Sequence, residues 1–384
     1  DDLPYQPSQG DRHDQEVEYS NFGRLCSRDG PDRTGEPLGI AHHDHRFDAG
    51  SNNSGESDRE WKLRERRSGQ LLGHRHRLCG LLATARLGIG RRKPEHEDQE
   101  VRITGNLATG VPVRARYIDG PVVVGGAIQE GIVVDHLDGA ITCDTLGEVA
   151  VNVNGPYETA HWGRIHVLGG EAYGKRLYIN GTMASFQGRS IEFAGGLARE
   201  GLIEVTGHVN AGLQIDGELA GTVTVGMDLG ATELGGPQGH PLTGHLSVGG
   251  SLFTLTGVGL IMRGPVAGGA SISVGYNLLI ANFYAPVYGT VWVGSVLGHV
   301  TLPSIAGGHV HAAQAYDLHV TGYILGQLDV TGALTASDVD DGIVGPISFI
   351  EAGSIDGLTV SSVVAGHIST TEGDIRNLTL SGSN

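Results

Sequence analysis

Residues 213–230 read LQIDGELAGTVTVGMDLG, and in them Leu213, Ile215 and Leu219 are followed ten residues later by Val223, Val225 and Leu229. Apolar side chains therefore fall at positions 1, 3 and 7 of a ten-residue unit. Gly217, Gly221 and Gly226 stand between them. Alternation with a period of two is the signature of a strand with one buried face. A unit this short cannot close a core of its own, so successive units must stack and share one. Glycine suits the corners of such a stack because it accepts positive φ without a steric penalty.

The same beat runs outward in both directions. Apolar-x-apolar triplets begin at Val101, Val111, Val122, Ile132, Ile141 and Val151, then at Ile203, Leu213 and Val223. Further triplets begin at Val291, Val300, Val310, Leu318 and Leu328, and again at Leu358, Ile368 and Leu378. An antiparallel meander would also space short strands at about ten residues, but it would place two-residue Asn-Gly or Asp-Gly turns between most of them. Here the glycines keep fixed offsets inside the unit. The predicted fold of residues 101–384 is therefore all-β, a right-handed parallel β-helix, the hand following from the strong bias of parallel crossovers. Three units per turn would give nine or ten coils and two would give about fourteen. Residues 230–245 and 257–270 read as longer connections.

Residues 1–100 have a different texture. They hold 16 of the 26 Lys and Arg and 19 of the 43 Asp and Glu, and they lack a sustained period of two or 3.6. Such a segment buries little apolar surface and is expected to be a disordered tail or out-of-frame text. A helix around Trp61 and Leu63 and a histidine group at His42, His43 and His45 are its only structured features in prospect.

Composition narrows the function. Glycine contributes 63 residues while aromatic residues make up 5% of the chain, far from the usual globular mix. Residues 101–384 carry about −14 of the formal −17, and an acidic surface repels phosphate backbones, so nucleic acid is not expected as a partner. Cys26, Cys79 and Cys143 are too few for a disulfide framework. Cys143, at position 3 of its triplet, is expected to point inward. No apolar run reaches the roughly 18 residues a membrane helix needs. With Asp1 at its start and no signal-peptide pattern, the chain reads as a mature or excised fragment, and the uncapped triplet at Leu378 as one that continues.

The beat of residues 213–230 and 318–330 resembles the core of bactofilins, bacterial filament-forming β-helices, and the right-handed β-helix repeats of bacterial adhesins and surface proteins. The resemblance spans nearly all of residues 101–384, although the chain is more than twice the length of a bactofilin core. It implies a structural or adhesive scaffold at an extracellular or cell surface of a bacterium, with self-association as a possible property. The alternatives are a carbohydrate-active β-helix enzyme and a self-assembling filament subunit.

No residue set satisfies a catalytic pattern. Asp338, Asp340 and Asp341, read as an insertion between units, together with His245 are superficially similar to the paired aspartates and His segment of pectin-cleaving β-helix hydrolases. The order is reversed, however, and the Gly after the His and the downstream Arg-x-Lys are missing. Solvated turn residues are the preferred reading. No cofactor is assigned, Ca(II) at the same acidic segment being the one candidate. Aromatic residues gather in two places, of which Tyr157, Trp162, Tyr284, Tyr288 and Trp292 are candidates for stacking on glycans. His309 and His311 should share one face of a strand, and a metal there would need its third ligand from an adjacent coil. A polar outer face is the preferred reading, and no metal site is assigned.

Overall fold

The computed structural model describes residues 100–382, apart from 109–111, 130, 157, 169–170, 173–175, 186–187 and 254–256. The expectations for residues 1–99, including the helix around Trp61 and the histidine group, lie outside the described residues. So do Val111 and Tyr157.

The described chain is a parallel β-solenoid of about 13 turns, with strands and turns throughout and no helix among the described residues. One turn shows how the ten-residue unit is used. Strand Leu213–Ile215 lies on a first long face, Leu219 on a short side, strand Thr222–Val225 on a second long face, and Leu229 on the short side that closes the turn. Strand Thr232–Leu234 then returns beside Leu213–Ile215, with Leu213 opposite Thr232 and Ile215 opposite Leu234. Two units thus make one coil.

Every strand ladder is parallel, which excludes the meander. Both edges of each interior strand pair with neighbours, so backbone donors and acceptors are satisfied along the stack. The core is a set of apolar columns. On the second long face Ile203, Val223, Leu246 and Ile272 stand in register. On the short sides run Leu197, Leu219, Leu242, Val266, Val287, Ile305 and Ile324, and Met183, Val209, Leu229, Leu252 and Leu278.

Leu213, Ile215, Val223 and Val225 are all buried, whereas Gln214 and Thr224 face outward and are half-buried. Burying each such aliphatic side chain contributes about 1.5–3 kcal/mol. Cys143 is fully buried as expected, and burial, with Asp144 beside it, pushes its thiol up to about 12.

Some corners leave no room for a side chain. Gly212 has φ +90°, and a Cβ there would sit 1.8 Å from the Ala231 carbonyl oxygen one coil on. Only glycine meets both demands.

The structure corrects several expectations. The triplet assigned to Val151 is Val149-Ala150-Val151, with Val149 and Val151 inside and Val153 exposed. Residues 257–270 are no connection: Leu260, Met262 and Val266 fill regular core positions. Residues 230–245 likewise contain a regular strand, Thr232–Leu234, and only residues 235–240 depart from the coil. Asp338 is not in an insertion but within the strand Gln327–Val339.

Candidate functional site

Because one coil shifts the chain by about twenty residues, outward side chains that are remote in sequence meet on the long faces. On the first face, Glu192, Gln214 and Glu233 occupy successive rungs. Arginines cross-link them. Arg164 Nη2 lies 3.0 Å from Glu192 Oε1, and Arg189 donates from Nε to Gln214 Oε1 at 3.0 Å. Glu233 receives Arg263 Nε at 2.6 Å and Arg189 Nη2 at 3.3 Å. The hydrogen bond and charge of Glu233 hold the Arg263 guanidinium above its ordinary pKa. His166 sits 3.5 Å from Glu192, and burial lowers its pKa despite that carboxylate.

Further along the same face His319 lies opposite Asp338. Its Nδ1 is hydrogen-bonded to Asp338 Oδ2, and its Nε2 lies 3.8 Å from Asp340 Oδ2. Asp341 is exposed. Asp338 and Asp340 therefore converge on a histidine that sequence reasoning did not pair with them. His245 does not join this group: it lies on strand His245–Val248 of the second face, exposed, with Nδ1 2.9 Å from Ser271 Oγ. Four rungs of that face separate it from the strand that carries Asp338, which at about 4.8 Å per rung is on the order of 20 Å.

On the second face His309 and His311 do point the same way, and Asp329 of the next coil stands opposite His311. His311 Nδ1 is 2.8 Å from Asp329 Oδ2. The coordinating atoms of His309, His311 and Asp329 all lie within 4.8 Å of one another, as do those of His319, Asp338 and Asp340. Asp329 was missed because its contact depends on the coil length, which the sequence reading left open between two and three units.

The aromatic candidates do not form one platform. Trp162 is exposed in an early coil. Tyr284 follows the first face, Tyr288 follows a short side and Trp292 is on the second face, all three exposed. Arg263 caps the Tyr284 ring at 5.7 Å from its centroid. Trp292 stacks on His311, centroids 6.2 Å apart and planes within 5°. Phe283 is a core residue.

The departure at residues 235–240 overhangs a short side and leaves an open groove of about 640 Å³, lined among others by Asp216, Glu218, Gln238 and His240. Asp216 Oδ1 accepts a hydrogen bond from Gln214, and Glu218 Oε1 one from Thr243.

One histidine lies inside. His161 takes a core position in register with Met183 and is fully buried. The Leu137 N–H approaches its Nδ1 at 3.5 Å, while its Nε2 is buried without a hydrogen-bond partner. Burial lowers its pKa, partly offset by the backbone of Asn180.

No family model, curated protein or solved structure matches the chain. The class that fold and surface define is a parallel β-solenoid. No helix among the described residues is long and apolar enough to cross a membrane.

Proposed function

We propose that residues 101–384 serve as a structural or adhesive scaffold, a right-handed solenoid at an extracellular or cell surface of a bacterium, acting through surface area and not through a reacting group. The observation that carries this reading is the unbroken core from Leu107 to Val360. It turns both long faces into ladders on which side chains recur at one rung spacing, a geometry suited to repetitive partners such as glycans. Trp162, Tyr284, Tyr288 and Trp292 are exposed aromatic residues of the kind that stack on sugars. The acidic surface disfavours nucleic acid as the partner.

One observation favours a second reading, a carbohydrate-active enzyme: Asp216 and Glu218 both line the groove beside residues 235–240. Paired carboxylates are what glycoside cleavage requires. Pectic and other polysaccharides incubated with the native chain and with an Asp216→Asn/Glu218→Gln variant separate the two. The scaffold reading expects retention of glycans on the immobilised chain and no new reducing ends from either form. Turnover by the native chain that vanishes in the variant replaces the scaffold reading with the enzyme.

A further inference from the structure

We propose that His309, His311 and Asp329 form a binding site for one divalent cation of the zinc class, Zn(II), Co(II), Ni(II) or Cu(II). Two imidazoles and one carboxylate are a borderline-soft donor set that suits these ions and not Ca(II) or Mg(II), which take oxygen ligands.

The fold builds the site from the coil period. His309 and His311 are two apart on strand His309–Tyr316, so the pleat turns both outward on one face. Asp329 lies in the adjacent rung, opposite His311. Ligands bound to zinc at about 2.0–2.2 Å in a tetrahedron stand roughly 3.3 Å from one another. The two distances to Asp329 Oδ2, 2.8 Å from His311 Nδ1 and 4.0 Å from His309 Nε2, straddle that spacing. Side-chain shifts of about 0.5 Å and 0.7 Å respectively bring both to that spacing.

An independent observation points the same way. His309 Nε2 is buried without a hydrogen-bond partner, yet it faces the Asp329 carboxylate, so a donor already stripped of water is aimed into the cluster. A nitrogen buried without a partner is unfavourable, and a metal bond would offset that cost. Trp292, parallel to the His311 ring, restricts its rotation. Side-chain exposures of 40%, 20% and 31% for His309, His311 and Asp329 leave the cluster open to solvent on one side. Water would complete the coordination. Glu351, opposite Asp329 in the following rung, adds negative potential.

Metal-stripped full-length chain is titrated with ZnSO₄ by calorimetry, with CoCl₂ by visible absorption, and with CuCl₂ by tryptophan fluorescence. The expected results are a saturable Zn(II) site unaffected by excess Ca(II), a tetrahedral-type Co(II) band, and Cu(II) quenching that a Trp292→Phe variant largely removes. Asp329→Asn and His309→Ala, outward changes whose folding is checked by circular dichroism, should each weaken Zn(II) at least about tenfold. His319→Ala should leave it unchanged. Zn(II) affinity that survives both Asp329→Asn and His309→Ala, or that is lost in His319→Ala, overturns the assignment, as does displacement by Ca(II).

Discussion

His311 and Asp329, 18 residues apart in sequence, face one another across a single rung with Nδ1 and Oδ2 2.8 Å apart. The contact exists because two ten-residue units, slightly shortened, complete a coil. Coil length, more than any local motif, decides which outward side chains meet in this protein.

Inward and outward positions of facing strands should respond differently to truncation. Ile215→Ala empties a fully buried site and should cost about 2–5 kcal/mol in chemical denaturation. Thr224→Ala, outward on the facing strand, should stay within about 0.5 kcal/mol. Comparable losses from both would contradict the register.

Gly212→Ala should destabilise the chain far beyond the few tenths expected of a surface change. At φ +90° a side chain is strained, and its Cβ would press on the Ala231 carbonyl. A loss of about 2 kcal/mol or more is expected, whereas Gly268→Ala, where a Cβ would meet nothing within 4 Å, should be nearly silent. Thermal melts of the two variants make the comparison.

The strand core was legible in the sequence at triplets that alternate cleanly, as at Leu213 and Ile215 or Leu318 and Val320, but not at Leu260 and Met262, where the apolar Ile261 between them hides the alternation. It became illegible where a polar residue takes an inward position and satisfies itself locally. Ser337 is buried opposite Leu358 and donates to the Thr335 carbonyl, so Ser337-Asp338-Val339 reads as a loop although it is a strand. Thr232 does the same by donating to Gly230, which disguised residues 230–245. The His309 and His311 pair was visible from strand alternation alone. Its partner Asp329 was not, because nothing within one unit fixes how many units close a turn.

His161 should make stability fall with acid. Its folded pKa lies below the unfolded value of about 6.5, so the unfolded chain takes up the proton first. Its stability contribution is therefore complete above about pH 6.5 and declines as the pH drops toward the depressed folded pKa. His161→Leu matches the Leu and Val residues of the same column and removes the unpartnered Nε2. Because the Leu137 N–H loses Nδ1 in the same change, the variant should lie within about 1 kcal/mol of the native chain at pH 7.5, and its advantage should grow between pH 6.5 and 5. An advantage that narrows on acidification would mean that the buried imidazole is charged.

Glu233 is the joint of the charged ladder on the first face, because both Arg189 and Arg263 end on its carboxylate while its side chain is only 17% exposed. Glu233→Gln keeps the size and one acceptor but leaves the guanidinium groups of Arg189 and Arg263, which both reach this one side chain, without their counter-charge. A cost of about 1–2 kcal/mol is expected at low ionic strength, between the values for exposed and for fully buried pairs. At 1 M salt the Debye length is about 3 Å, so repulsion between the two cations is screened and part of the loss should return. Adding Arg263→Gln to Glu233→Gln should recover more, because it removes one of the two unpaired charges. If the single variant is as stable as the native chain at low salt, the ladder contributes nothing beyond its methylene packing.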